Sequence, residues 1–536
     1  MLTALALASL AQQTPKVPAG PPRLVVMVVV DQLIPEQLRR LEPELDGGFG
    51  RFLREGTVFW NATVDYSSTE TGPGHATLAT GRYPSSHGIV ANQFFDRATN
   101  AEIYCVGDKG AHPMNDKGVD AASAGVSPAN LRGDALGDLI QAAQGASKTV
   151  AIAGKDRSAV LLGGRQPDAA LWWDNQRGGF VSSSYYGEKL PAFAGTWGAT
   201  WAERARGWEW TLEVKGDLAR LGTAPDDRAG EVSRYGRTLP RRLPEKDEEL
   251  GGAVFSSPLV DYFTLELATL ALESLDLGRD DAVDFLGLSL SGCDAVGHAH
   301  GPDSVEVTDL LVRADHELGR LFAALDEKVG AGRWIACLSS DHGVLDLPES
   351  LSARAVGARR IGMGELAELR KGVDEEVALL DAGGADLKLV LTEQGYVFDE
   401  AAVTAAGLEP ATLREAIATA AERSPIVAEA YTLDELRAEK PVDPWASLYA
   451  RSMAEQRYPD VALRLQPWTL LGLPMGTSHG SPYPYDRRVP LAFLGPKVAH
   501  RARFDAASPT DAVPTLLALL GITPKDKLDG RALTLD

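Results

Sequence analysis

The chain has 536 residues, with 53 Lys and Arg against 74 Asp and Glu, for a formal net charge of -21 at pH 7. At this length one hydrophobic core has stopped growing, so a large catalytic domain with inserted elements or a second domain is expected. The acidity argues against a nucleic-acid polymer as partner, since such proteins present a basic face. It also serves to keep a secreted protein soluble, and an anionic substrate would then need a local positive site that metal ions can supply.

Residues 1–11, MLTALALASLA, form an apolar run followed by the Pro-rich QQTPKVPAGPP. The run is too short to span a bilayer and suits a signal peptide, with Ser9, Leu10 and Ala11 as a small-x-small cleavage signal. It lacks the usual preceding basic residue, yet export to the periplasm or beyond is the better reading. No other run approaches the length of a membrane span. The three cysteines, Cys105, Cys293 and Cys337, permit at most one disulfide and do not form a framework.

Short β-branched runs end at residues of particular kinds: RLVVMVVVD at Asp31, TVAIAGKDR at Lys155 and Arg157, VDFLGLSLSGCD at Asp294, RWIACLSSDHG at Asp341 and His342. Helical patterns lie between them, such as Pro258 to Glu273 and Ser304 to Lys328, with apolar residues three and four apart. The alternation predicts an α/β fold with a mostly parallel central sheet covered by helices on both faces. Ligands bind such sheets beyond the carboxyl ends of the strands, where these polar residues fall. Residues 24–343 read as the first part of the core, 344–473 as a smaller inserted cap, and 474–536 as the final part of the core. The closing helix is signalled by Ser508 as N-cap, Pro509 and Gly521. The segment from Trp197 to Glu249, rich in charge, Gly and Arg, reads as an exposed excursion.

Asp31, Asp294, His298, Asp341, His342 and His479 make three carboxylates and three imidazoles at or just after strand ends. Two zinc sites need about three protein ligands each, leaving positions open for substrate. Asp294 and His298 stand four apart, so one helical turn can aim both at one ion. His112, His316 and His500 read as surface or helix residues, His300 as a spare neighbour of His298, and His75 and His87 as structural hydrogen-bonding groups. In STETGPGHATLATG, Pro73 suits a helix start, which would put Thr71 at the positive N-terminal end. Thr71 is then either a nucleophile activated by a metal ion or only a helix cap.

Asp31, TGPGHATLATG followed by PSSHGIVANQFFD, GKDR, the D-x-x-x-H of Asp294 and His298, SSDHG and GTSHGSPY occur in this order. In that order they resemble the alkaline phosphatase superfamily, most of all its phosphate-irrepressible alkaline phosphatases with a threonine nucleophile. The resemblance runs from about Leu24 to Leu520 and is least diagnostic in the insertion before GTSHG. It implies two Zn2+ ions, one held by Asp31, Thr71, Asp341 and His342 and the other by Asp294, His298 and His479. It also implies phosphate contacts from Asn92, Lys155 and Arg157, and a phosphothreonine intermediate in the hydrolysis of small-molecule phosphate monoesters; the chain is expected to be a monomer, though its sequence does not identify the oligomeric state.

A phosphodiesterase or nucleotide pyrophosphatase with the same bimetallic core is the nearest alternative. Lys155 and Arg157 favour the extra negative charge of a monoester. No C/S-x-P-x-R segment supplies a sulfatase nucleophile. An inactive metal- or phosphate-binding protein would be missing a ligand or the nucleophile, and none of those positions is lost.

Overall fold

The computed structural model describes residues 20–536 apart from 355, 381–386 and 442. The signal-peptide segment therefore lies outside the described residues. No described helix is long and apolar enough to cross a membrane.

An 11-stranded sheet organises the chain, and the strand Leu24–Val30 lies next to its middle strand, Asp284–Leu290. This strand pairs in parallel with Asp284–Leu290 on one side and Trp334–Ser339 on the other, and Thr149–Ala153 and Ala169–Trp173 continue the parallel run. Every residue of Leu24–Val30 is buried. Successive side chains of a strand point to opposite faces. Leu24, Val26, Val28 and Val30 accordingly join the helices Leu259–Ser274 and Val305–Leu325 in one apolar layer. Val25, Met27 and Val29 pack into a second layer with the helices Leu136–Gln144 and Ala512–Leu520. A strand buried on both faces has to read as a continuous apolar run, as LVVMVVV does.

The centre of the sheet is parallel as expected, antiparallel pairs lie on either side of it, and Thr57–Phe59 pairs in parallel with Arg501–Arg503 at one edge. Leu491–Leu494 runs antiparallel to both Trp334–Ser339 and Thr57–Phe59, and Phe180–Ser183 runs antiparallel to Ala169–Trp173. The connection from Trp173 to Phe180 is too short for the crossover that parallel strands require. The excursion reading of Trp197 to Glu249 also needs correction. Trp197, Trp201 and Trp210 are buried in the first apolar layer. Their indoles are anchored as well, Trp197 Nε1 donating to Glu266 at 2.7 Å and Trp210 Nε1 to Asp309 at 2.8 Å. Most of the residues between and beyond these anchors face solvent, and their charge and glycine mask a sparse set of tryptophan anchors in the sequence.

Between Arg359 and Leu471 the chain builds a separate four-stranded antiparallel sheet in the order Val390–Thr392, Gly395–Val397, Val461–Leu465, Val427–Thr432. It has its own core, with Tyr396, Phe398, Ile417 and Val461 among its members. The tip of the Val390–Val397 hairpin reaches the large sheet's site, where Gln394 Nε2 donates to the Val90 carbonyl at 3.2 Å. At the chain end, Ser508 caps a short 3₁₀ turn, Pro509–Asp511, which leads into Ala512–Leu520 and stops at Gly521 with φ 71°.

The helix Thr71–Thr80 is buried throughout and is braced by the short helix Pro84–His87. His87 Nδ1 accepts the Ile89 N–H at 3.1 Å, so its hydrogen is on Nε2, which donates to Thr77 Oγ1 at 3.1 Å. Burial pushes this imidazole down from its ordinary 6.5 to about 3. The unfolded chain therefore binds a proton below its pKa that the folded chain refuses, and stability is lost as pH falls from 6.5 toward 3. Its contribution to that loss is about 1.4 kcal/mol per pH unit. His87→Gln keeps an acceptor and a donor without titrating. Urea unfolding between pH 6 and pH 4 is expected to show a shallower loss of stability in the variant, and equal slopes would refute this account of the brace.

Candidate active site

The site forms along the carboxyl edge of the parallel strands. Asp31 directly follows Leu24–Val30, and Lys155 precedes the helix Asp156–Gly163 just beyond Thr149–Ala153. Asp294 and His298 lie on the helix Gly292–His300, which begins two residues after Asp284–Leu290. Asp341 and His342 occupy the irregular segment after Trp334–Ser339. The site needs the helix Thr71–Thr80 close against that segment, and a Cβ on Gly74 would stand 2.4 Å from Asp341 Cβ. Glycine is what permits the approach.

Two triads emerge. One brings ligand atoms of Asp31, Asp341 and His342 within 4.8 Å of one another, and the other does so for Asp294, His298 and His479. All three imidazoles donate Nδ1–H to backbone carbonyls: His342 to Gly343 at 3.0 Å, His298 to Thr477 at 2.7 Å and His479 to Thr69 at 2.7 Å. A carbonyl can only accept, so each Nε2 carries a lone pair when the ring is neutral. His342 Nε2 then faces Asp31 Oδ1 and Asp341 Oδ2, both at 3.4 Å. None of these three buried atoms has a hydrogen-bond partner. Three acceptors converging without a proton repel each other, and a cation between them resolves the conflict. His298 Nε2 and His479 Nε2 approach one oxygen, Asp294 Oδ1, at 3.1 and 3.6 Å. This donor chemistry, carboxylate plus neutral imidazole, fits zinc or a similar divalent ion in both triads.

Thr71 sits beside the triads, 1% exposed, as the first residue of its helix. Pro73 is thus the third helical residue, and the flanking cap position belongs to Glu70, whose side chain makes no capping bond. The Thr71 hydroxyl is instead met by two cations, Lys155 Nζ and Arg157 Nη2, both at 3.3 Å. Asn92 Oδ1 accepts the Gly72 N–H at 2.8 Å, which turns the amide's NH2 group away from that bond and leaves it free to donate. Lys155 also stands between the triads, 2.5 Å from Asp31 Oδ2 and 2.7 Å from Asp294 Oδ2.

The electrostatics follow from this crowding. Burial, with Asp294 and Asp341 nearby, pushes Asp31 well above the usual carboxylate range. Burial acts on Asp294 in the same sense, but His298 and Lys155 outweigh it and hold that carboxyl well below its ordinary value. Burial pushes His342 down to about 3 and lowers His479, so both are neutral near pH 7, the ligand form. Burial and the Glu393 carboxylate raise Glu70 to about 7.

The remaining histidines are mostly structural. His75 Nε2 meets Ser289 Oγ at 2.8 Å, while its Nδ1 lies 2.9 Å from the Thr71 carbonyl and 3.2 Å from Asp341 Oδ2. His300 is buried beside Glu231 and Glu306. Cys105, Cys293 and Cys337 are all free and buried. A further group, Asp46, Asp315 and His316, meets near the surface. The Asp315 carboxylate is already taken there by the N–H groups of Gly47 and Gly50.

Some site residues escape a reading by motif. Gln32, with φ 70°, donates its backbone N–H to Asp341 Oδ1 at 3.2 Å and its side-chain NH2 to Asp294 Oδ1 at 2.9 Å. One residue thereby spans both triads, and its only sequence signal is adjacency to Asp31. Asp261 accepts the N–H of Gly292 at 3.0 Å and so fixes the start of the helix that carries Asp294. The loop around Gly230 ties the second triad together. Val232 N–H donates to the Ala299 carbonyl at 2.9 Å, and Gly476 N–H to the Gly230 carbonyl at 2.7 Å.

Residues 25–440 match the family described as type I phosphodiesterase / nucleotide pyrophosphatase. Alkaline phosphatase PafA of Elizabethkingia meningoseptica is 30% identical over 541 residues, covering 98% of this chain and 96% of that protein. Alkaline phosphatase PhoV of Synechococcus elongatus is 27% identical over 519 residues, covering 96% of this chain and 92% of that protein. The crystal structure of wild-type PafA superposes with a TM-score of 0.86 at 28% identity, over 96% of this chain and 99% of that one. The chain belongs to the type I phosphodiesterase / nucleotide pyrophosphatase family, within the alkaline phosphatase superfamily.

Proposed function

We propose that the protein is an alkaline phosphatase that hydrolyses phosphate monoesters through a phosphorylated Thr71 with two bound zinc ions. The observation that carries the reading is the convergence of Lys155 and Arg157 on Thr71 Oγ1, each at 3.3 Å. Asp31, Asp341 and His342, with the Thr71 oxygen, would hold one ion, and Asp294, His298 and His479 the other. Ions bound there supply Lewis-acid stabilisation of the attacking and departing oxygens.

The chain's own groups do the rest. Thr71 Oγ1 gives up its proton to solvent water and bonds to phosphorus as the bond to the alcohol oxygen breaks, and the departing oxygen takes a proton from water to leave as the alcohol. Water then cleaves the threonyl phosphate, returning the hydroxyl and releasing inorganic phosphate. Asn92 donates its amide to a nonbridging oxygen. Arg157 and Lys155 meet the remaining charge, Lys155 being freed for this when Asp31 and Asp294 are taken up as ligands. Thr71→Ala is expected to abolish most turnover with the metal content unchanged, whereas Thr71→Ser keeps a substantial part and forms a covalent phosphoserine visible by mass spectrometry. Parent-like turnover in the alanine variant would remove Thr71 from the chemistry.

The family description names a phosphodiesterase and nucleotide pyrophosphatase, whereas the similar full-length proteins are alkaline phosphatases. The two cations favour the monoester, whose nonbridging oxygens carry one more negative charge. Charge-assisted hydrogen bonds are worth about 1.5 to 3 kcal/mol, so losing one should lower monoester kcat/KM roughly ten- to a hundredfold. Diester turnover should fall much less. Measured on esters of matched leaving-group acidity, the monoester-to-diester ratio is expected to drop in Lys155→Ala with Arg157→Ala, and an unchanged ratio would favour the diesterase reading.

A further inference from the structure

The cleft over Thr71 is larger than a phosphate needs, about 460 Å³, and its far wall is built by the segments around the second sheet. Leu463, Leu465 and Leu470 line that wall together with the rings of Tyr449, Tyr483 and Tyr485. Tyr483 and Tyr485 belong to a continuous series, with centroid separations of 5.2 Å for Trp445 to Tyr483, 5.7 Å for Tyr483 to Tyr485 and 4.8 Å for Tyr485 to Trp468. The lip of the cleft is also apolar, with Leu471 44% exposed.

Most polar atoms on this wall are already committed. Tyr449 and Tyr483 donate their hydroxyls to the carbonyls of Leu463 and Leu465 at 3.1 and 2.7 Å. Gln466 Nε2 donates to the Val427 carbonyl at 3.0 Å, and Thr469 Oγ1 to the Gln466 carbonyl at 2.6 Å. Among the described lining residues, Lys155 and Arg157 are the only lysine or arginine, and both stand at Thr71. Glu393, at the tip of the Val390–Val397 hairpin, adds negative charge to the lining of the cleft.

From this layout we propose that the wall is the alcohol subsite and that it takes an uncharged, ring-bearing alcohol while rejecting one with a second anionic group. The inference rests on the monoesterase reading and extends it to the substrate class. A ring laid on leucine and tyrosine side chains loses apolar surface to the wall and no hydrogen bonds, which favours it. A carboxylate or second phosphate there finds no lysine or arginine lining the wall and meets the Glu393 charge, so its desolvation is poorly compensated.

The test compares kcat/KM for benzyl, 4-carboxybenzyl and ethyl phosphate, whose alcohols have closely similar acidity, at low and high salt. Benzyl phosphate is expected to exceed ethyl phosphate by roughly tenfold or more. It should also exceed the 4-carboxybenzyl ester, by a margin that shrinks with ionic strength. Two surface substitutions probe the wall with little risk to folding. Leu471→Asn should reduce the benzyl advantage over ethyl, and Glu393→Lys should shift the benzyl to 4-carboxybenzyl ratio toward the anion by about threefold or more at low salt. Equal kcat/KM for all three esters in the parent, or ratios unmoved by both substitutions, would overturn the subsite and leave the monoesterase reading intact. Failure to hydrolyse any of the three would overturn that reading and the subsite with it.

Discussion

The arrangement rests on one constraint: three imidazoles whose Nδ1 hydrogens are fixed on backbone carbonyls. That choice of tautomer turns three Nε2 lone pairs toward three carboxylates in a buried space. Without positive charge the cluster repels itself, so its geometry must be held by the surrounding fold. Each carbonyl partner belongs to a different stretch of chain. Gly343 follows a core strand, Thr69 precedes the Thr71 helix, and Thr477 lies on the segment that returns from the second sheet. The site is therefore assembled only when distant parts of the chain are in register.

The sheet supplies that register. Parallel pairing aligns Val30 with Leu290 and Val29 with Ser339, which sets Asp31 beside the two segments that carry the other carboxylates. Gln32 then locks the two triads to each other through Asp341 and Asp294. Its left-handed backbone is an uncommon state for a residue with a Cβ, and local strain of this kind is concentrated at functional positions. Lys155 completes the balance by placing a buried cation between Asp31 and Asp294. The same ammonium reaches Thr71, so ligand charge and substrate charge compete for one group.

Much of this is legible in the sequence because buried parallel strands are continuous apolar runs that stop abruptly at a chemical residue. LVVMVVV followed by Asp31 announces both the strand and its functional end. The D-x-x-x-H spacing of Asp294 and His298 carries a helical turn in the same way. Pro73 misleads by two positions, since the helix already begins at Thr71 and Glu70 precedes it as the flanking residue. Antiparallel flanks are harder to read, because Leu491–Leu494 is as apolar as a parallel strand and only its neighbours fix its direction. The tryptophan anchors between Trp197 and Trp210 are hidden by polar composition. Gln32, Asp261 and the loop at Gly230 act through contacts between segments well separated in the chain, which no local pattern encodes.

Metal stoichiometry tests the central claim most directly. Purified protein equilibrated with zinc, freed of unbound ion and analysed by mass spectrometry is predicted to hold two ions per chain. His342→Ala should lose one of them and His479→Ala the other, each variant keeping its remaining ion. Full monoester turnover by a chain verified to contain no metal, or two ions retained in both variants, would contradict the account.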